Sequence, residues 1–259
     1  MSLIFVIDYY NKYYKPNTSF EDESIFLYVV EDDSIAFRDS ISKYIKSEKT
    51  FYKVAKRLEY LQNKKTGRFK IDKDIGNNGI VNSLKFNNTP VNVTFNNQER
   101  VEDLAGRVSK QIYQDSTALL FAFRDKKFLK DNNLNEQNVL SIFIPNSYNI
   151  FWNSTPEDFR DRMLAEYNKF WNEERSKKAE ELGLTRLEVI SLASIVQIES
   201  RRNDERPRVA GLYINRLKKN MKLQADPTVI YTIKDYYKNF DTIIRLSLIH
   251  ISEPTRQVQ

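Results

Sequence analysis

Leu184 to Ser200 reads LTRLEVISLASIVQIES, and the reading of this stretch decides the fold. Thr185 followed by Glu188 is a capping box, each side chain satisfying a free backbone N–H at a helix start, with Leu184 and Val189 placed as a hydrophobic staple. From Leu187 onward Val189, Ile190, Leu192, Ala193, Ile195, Val196 and Ile198 leave almost no polar face, the pattern of a helix enclosed in a core. Glu199 breaks that pattern. Its helical neighbours Val196, Ile195 and Leu192 put its side chain on an apolar stripe. A carboxyl group leaving from such a stripe is expected to be desolvated and to hold a proton near neutral pH, as a general acid must. The competing reading keeps Glu199 at a frayed helix end, paired with Arg201, Arg202 or Arg206.

The chain around this helix has 259 residues, room for one large or two modest domains. Its 29% charged and 41% hydrophobic residues are ordinary for a globular protein. A net charge of +6 favours contact with anionic material. The cations are not gathered with aromatics on one element, so no nucleic-acid partner is expected. With no cysteine, disulfides and thiolate metal sites are excluded. The single histidine, His250, falls within Leu246 to Arg256, LSLIHISEPTR, which reads as the translation of a transposon-type sequencing adapter, to be set aside from fold reasoning. Without that histidine the remainder has no imidazole for a triad or a metal, and neither metal nor cofactor is expected.

At the N-terminus Leu3 to Ile7 form an apolar stub far short of the roughly 20 residues that cross a bilayer. Tyr9, Tyr10, Lys12, Tyr13, Tyr14 and Lys15 follow as an aromatic, basic flank of the kind found at a membrane interface. Ser24 to Val30 then reads as a buried strand, Ser34 as the cap of a helix reaching about Ser47, Thr50 to Asn63 as a second helix, and Arg68 to Ile71 as a strand. A helix near Ile75 to Lys85 and a strand Pro90 to Phe95 continue the pattern. Glu99 to Ile112 and Ser116 to Leu129 read as helices, and Ser141 to Tyr148, SIFIPNSY, as an apolar strand broken by Pro145 and followed by an aromatic loop through Trp152. Thr155-Pro156-Glu157-Asp158 opens a long helix with Phe159, Met163, Tyr167 and Phe170 as its buried stripe.

Beyond Glu199, Pro207 fits only near a helix start. Val209, Ala210, Tyr213, Ile214 and Leu217 make the inner stripe of that helix, and Asn215 and Arg216 lie beside it. Met221 to Ala225 is extended, and Asp226-Pro227 can cap a further turn through Tyr231. Close after Glu199 the chain thus gathers Ser200, Arg206, Asn215, Arg216, Gln224, Asp226, Thr228 and Tyr231, a set of neutral hydrogen-bonders, guanidinium groups and an aromatic that suits a polar, neutral-to-anionic substrate such as a glycan.

ASIVQIES followed by NDERPRVAGLYINRLKKNMKLQADPTVIY resembles the core signature of the MltG (YceG-like) endolytic murein transglycosylases, and FIPNSY and GRFKI resemble upstream parts of that family more loosely. The resemblance implies an α+β protein: a remnant of a membrane anchor over 1–16, a small LysM-like α/β module over 17–95, and a mixed, largely helical catalytic domain over 96–245, built round the buried helix and truncated at its C-terminus. Residues 246–259 are the adapter-derived tail. It implies a bacterial lyase held by a single-pass anchor in the cell (inner) membrane, its catalytic domain on the extracytoplasmic or periplasmic side, with peptidoglycan strands as substrate and cell-wall synthases as partners. The family's catalytic glutamate falls on Glu199. Asn215, Arg216, Gln224, Asp226 and Thr228 match its active-site wall, while Ser200 stands where threonine is common. The implied reaction cleaves the MurNAc–GlcNAc bond and leaves 1,6-anhydroMurNAc ends, with Asp226 capping a turn rather than serving as a second catalytic carboxylate. A non-catalytic peptidoglycan-binding scaffold and a water-using hydrolase working through Glu199 and Asp226 remain as alternatives.

Overall fold

A computed structural model describes residues 3–241; the adapter-like stretch and His250 lie outside them. The chain divides into two compact units, Met1–Tyr167 and Asn168–Gln259. The elements are α1 (Leu3–Tyr13), β1 (Ser24–Val29), α2 (Ser34–Ile41), α3 (Glu48–Arg57), β2 (Gly67–Asp72), α4 (Asn77–Phe86), β3 (Pro90–Phe95), α5 (Val101–Ser109), α6 (Ser116–Phe123), α7 (Lys126–Asp131), β4 (Asn146–Phe151), α8 (Pro156–Phe170), α9 (Glu173–Glu181), α10 (Arg186–Glu199), α11 (Arg206–Lys218) and α12 (Asp226–Tyr236). The fold is mixed α+β, helices with two small antiparallel sheets.

In the first unit β1 and β2 pair from Ser24↔Asp72 to Val29↔Gly67. Strand alternation sends Leu27, Val29, Phe69 and Ile71 inward, where Phe37 and Ile41 of α2, Phe51 and Ala55 of α3, and Ile80, Val81 and Leu84 of α4 complete one core. Its helix starts are set by local capping. Asp33, rather than the expected Ser34, accepts from the Ala36 N–H at 2.7 Å, and α2 gives way to a 3-10 turn at Ser42–Tyr44. Ser47 caps α3, which stops at Arg57 instead of Asn63; Glu59 has φ +56°, a left-handed conformation that ends a helix.

β3 pairs with β4, from Pro90↔Phe151 to Phe95↔Asn146. Val93, Phe95, Tyr148 and Ile150 are buried. The expected strand over Ser141 to Tyr148 is displaced: Val139–Ile142 is a 3-10 turn, and β4 starts after Pro145, whose ring removes a ladder donor. The expected helix over Ser116 to Leu129 is two, because Asp125 caps a new start by accepting from the Phe128 N–H at 2.7 Å. Phe123, Phe143 and Phe159 meet with ring centroids 4.6 Å (Phe123–Phe143) and 6.4 Å (Phe143–Phe159) apart, and Met163 is fully buried with them.

The second unit is helical. Asn172 caps α9 by accepting from the Arg175 N–H at 2.9 Å. That helix escapes the sequence reading because EERSKKAEE offers no apolar stripe. Gly183, at φ +71°, closes it: its N–H donates to Glu180 O at 2.9 Å and the Leu184 N–H to Ala179 O at 3.0 Å, a Schellman ending. The chain leaves straight into the capping box of α10, where the Thr185 N–H donates to Glu188 Oε2 at 2.7 Å and the Glu188 N–H to Thr185 Oγ1 at 3.2 Å. Leu192 and Val196 of α10 pack with Tyr213 of α11 and Ala225 just before α12.

The unit is therefore built round α10, but α10 is not the enclosed helix the sequence suggests. Only Leu192 and Val196 are buried, while Ala193 is exposed and Ile198 is 62% exposed. Three helices of this length cover one face of a neighbour and no more, so the apolar surplus of α10 faces solvent.

Candidate active site around Glu199

Glu199 is the last residue of α10 and its side chain is exposed, so the apolar socket expected beneath it is not formed. The rival arginine pairing is not formed either. Arg202 pairs with Asp204 at 2.8 Å and with Glu205 at 3.4 Å, and Arg206 Nε donates to Ser200 O at 3.1 Å. Glu199 has no ion pair among the described residues.

What Glu199 has is Tyr213, whose phenol lies within electrostatic reach of its carboxylate. Tyr213 is 4% exposed and packs in the cluster of Leu192, Val196 and Ala225. Burial pushes its phenol above the ordinary tyrosine value, and the charge and polar side chain of Glu199 add to the push; Arg216 opposes it and Asp226 reinforces it. The Tyr213 hydroxyl thus lies within electrostatic reach of Glu199 from α10, Arg216 from α11 and Asp226 from α12. The sequence reading placed Tyr213 on an inner stripe and gave it no role. The available signal was its hydroxyl, since a buried tyrosine usually finds a partner.

The remaining candidates divide. Arg216 is held by Nε donating to Lys222 O at 2.9 Å and by a second bond to the Gln224 side-chain oxygen, which fixes the extended segment where Gln224 takes φ +54°. Ser200 is buried and braces the turn after α10: its hydroxyl donates to Glu205 Oε2 at 2.8 Å, and its Oγ accepts from the Arg202 N–H at 3.2 Å. Ser200 and Arg206 thus order the backbone around Glu199. Asp226 does not cap α12. Ala225 is the cap residue and Asp226 the first helical one, where a carboxylate complements the helix dipole. Thr228 donates its hydroxyl to Ala225 O at 2.7 Å. Asn215 is exposed, as is Tyr231, whose ring meets Phe240 edge-on at 5.7 Å. A cavity of about 500 Å³ lined by Leu120, Phe121, Arg124 and Lys126 belongs to the first unit and contains none of these residues.

The arrangement offers one solvent-open carboxylate and a phenol that feels its charge together with those of a cation and a second carboxylate. That set can give and retake a proton next to a polar substrate.

Among known proteins, an endolytic murein transglycosylase of Streptococcus pneumoniae (serotype 2, strain D39) is 32% identical over 91 residues, 34% of this chain and 16% of that protein. One of Bacillus subtilis (strain 168) is 33% identical over 76 residues, 29% of this chain and 21% of that protein. The matched segments therefore span about a fifth or less of these relatives. A YceG-like protein of Listeria monocytogenes aligns in structure with a TM-score of 0.45 and 19% identity, covering 87% of this chain and 78% of that one. The sequence profile of the YceG-like family matches residues 34–254, running through most of the adapter-like stretch. A match that takes in β2, the β3/β4 sheet and every helix from α2 to α12 reaches far beyond a motif, and the chain belongs to the YceG-like family.

Proposed function

We propose that this chain carries the catalytic glutamate of an endolytic lytic transglycosylase acting on peptidoglycan, with Glu199 as the single acid and base. The observation that carries the reading is that the Tyr213 phenol lies within electrostatic reach of Glu199, Arg216 and Asp226, which stand on three helices. The names of the curated relatives support the substrate class.

In the reaction the protonated Glu199 gives its proton to the glycosidic oxygen between MurNAc and GlcNAc as the C1–O bond breaks. The resulting carboxylate takes the proton of the MurNAc C6 hydroxyl, whose oxygen bonds to C1 and closes the 1,6-anhydro ring; no water is consumed. Glycosidases use two carboxyl groups for the corresponding task, and here one group serves twice in sequence. Because Glu199 is exposed in the free chain, the substrate itself supplies the desolvation: a sugar ring laid over the carboxyl displaces the water that favours its charged form. Tyr213 holds the carboxylate in place, Arg216 and Gln224 form one wall, and Asp226 shapes the field without taking the proton. Asn215, Thr228 and Tyr231 contact the strand, while Ser200 and Arg206 order the turn.

In this reading 17–95 is a LysM-like module, 96–245 the catalytic domain and 1–16 the end of a membrane anchor, with the catalytic domain outside the cytoplasm near cell-wall synthases. Among the described residues no helix is long and apolar enough to cross a membrane. Support for anchoring is the exposed row Leu3, Ile4 and Phe5 on α1.

The test is mass spectrometry of purified peptidoglycan after incubation with the protein, with Glu199→Gln and with Asp226→Asn. Anhydro ends that vanish in Glu199→Gln and persist in Asp226→Asn are expected. Reducing ends would establish a hydrolase, and intact glycan with retained binding would establish a scaffold.

A further inference from the structure

The β3/β4 sheet has only these strands, so each has an outer edge, and the chain treats the edges differently. Residues of an antiparallel pair alternate between those that exchange hydrogen bonds with the partner and those whose N–H and C=O point away from it. Thr94 is of the second kind: its N–H donates to Gln111 Oε1 at 2.9 Å and its carbonyl accepts from Gln111 Nε2 at 3.0 Å. The register then puts the backbone groups of Pro90 and Asn92 on the outer edge of β3, and those of Ser147, Asn149 and Phe151 on the outer edge of β4.

The β3 edge is closed to a further strand. The Gln111 amide occupies Thr94 as a strand would, Arg68 Nη1 donates to Pro90 O at 2.7 Å, and proline has no N–H to offer. Edges are commonly blunted by such devices. The β4 edge lacks them. Its strand, NSYNIF, carries no charge and no proline, and Ser147, Asn149 and Phe151 are all exposed. The Ser147 N–H is taken by Asn146 Oδ1 at 2.8 Å, and Phe151 O accepts from the Ser154 N–H at 3.0 Å. Ser147 O, both backbone groups of Asn149 and the Phe151 N–H have no hydrogen-bond partner among the described residues.

Those open groups complement one another. With a two-fold axis at Asn149, a second β4 runs antiparallel, Asn149 faces Asn149 and Ser147 faces Phe151. Each Asn149 N–H then meets the other Asn149 O, and each Phe151 N–H meets the other Ser147 O. The occupied Ser147 N–H and Phe151 O are the groups that face each other, and both are already satisfied. A peptide of another protein would set its own carbonyl and N–H against those occupied groups and leave them unpaired, which costs stability. We propose that β4 pairs with β4 of a second copy of this chain, joining two first units into one antiparallel sheet in the order β3–β4–β4–β3. The side chains agree: the Asn149 amides face each other, and the half-exposed Phe151 ring lies beside Ser147. The contact is isologous and closes on itself. A strand of six residues buries far less than the roughly 1,200–2,000 Å² of a standard interface, so a dissociation constant of about 10 µM to 1 mM is expected. No residue of the Glu199 group takes part.

Sedimentation equilibrium of the full chain across that range should show a reversible monomer–dimer equilibrium, and the Asn149 and Phe151 amide protons should gain protection from exchange as concentration rises. Asn149→Pro removes the central N–H without removing a bond to β3, because that N–H points outward; this variant should melt near the parent and sediment as a monomer. Asn149→Lys and Asn149→Glu each set like charges face to face and should weaken self-association by about tenfold or more, while an equimolar mixture of the two should restore it. A chain that stays monomeric to about 1 mM, or a mixture that associates no better than either variant alone, would overturn the proposal. So would a dimer that persists unchanged in Asn149→Pro and Asn149→Lys, since its contact would lie elsewhere, on the edge of β1 for instance.

Discussion

Replacing Leu192 by alanine tests how the second unit is held together. Four buried residues, Leu192, Val196, Tyr213 and Ala225, form its core cluster, against thirteen in the cluster of the first unit. Leucine-to-alanine changes in cores cost about 2–5 kcal/mol, and the cost falls where the surroundings can close over the gap. Leu192 is 8% exposed and the neighbouring face of α10 is open, so about 2–3 kcal/mol is expected. Domains have about 5–15 kcal/mol in all, and one with so small a core belongs near the lower end. For a unit of this size the loss is a fall in melting temperature of roughly 10–20 °C. The chain supplies its own reporters, because its two tryptophans fall one in each unit, Trp152 in the first and Trp171 in the second. In a Trp152→Phe background the emission of Trp171 should show the lowered transition. In a Trp171→Phe background Trp152 should melt as in the parent. A Trp171 transition that stays within a few degrees, or a Trp152 transition that falls equally far, would refute the reasoning.

Other expectations follow from single contacts. Glu199→Gln removes two of the influences that raise the Tyr213 phenol, so Tyr213 should ionise at lower pH than in the parent, while Arg216→Gln should move it upward; carbon NMR of labelled tyrosine rings reads both. Because the folded-state value is raised, Tyr213 contributes stability that is complete below the ordinary tyrosine range and is lost as pH climbs through the folded value, so the loss of stability between neutral and strongly alkaline pH should be smaller in Glu199→Gln. Tyr60 buries a hydroxyl with no hydrogen-bond partner, and Tyr60→Phe should be neutral or stabilising by about 1 kcal/mol in urea unfolding. Gly76→Ala would bring a Cβ within 2.6 Å of the backbone of Tyr13 and Tyr14, so a loss of about 1–3 kcal/mol is expected in the same assay.

Much of the fold is legible wherever one local rule decides the outcome. The capping box at Thr185 and Glu188 needs only residues three apart, and the alternation in Ser24–Val29 and Pro90–Phe95 needs only the pleat. Misreadings arise where two local rules compete. Asp33 out-caps Ser34 because a carboxylate accepts more strongly than a hydroxyl. Apolar periodicity runs on through Arg124 while Asp125 starts a new turn, and Pro145 moves a strand from one side of itself to the other. Burial was the least legible property: α10 carries apolar residues all round, yet composition cannot say how many faces will find a partner. At the site, sequence spacing gathered Glu199, Arg216 and Asp226 into one candidate set but left out Tyr213, whose ring belongs to the core and whose phenol feels all three charges.

The pairing of β3 with β4 joins Phe95 to Asn146, positions about fifty residues apart. A ribosome adding about 5–20 residues each second exposes β3 for about 3–10 s before its partner strand exists. Through that interval β3 is a bare edge with Val91, Val93 and Phe95 uncovered, and its resistance to pairing with another nascent chain rests on Pro90 at one end and on the speed with which α5 folds down. The first unit therefore matures late in synthesis, when Phe151 has emerged, and slow decoding between Phe95 and Asn146 lengthens the period in which the chain most needs a chaperone.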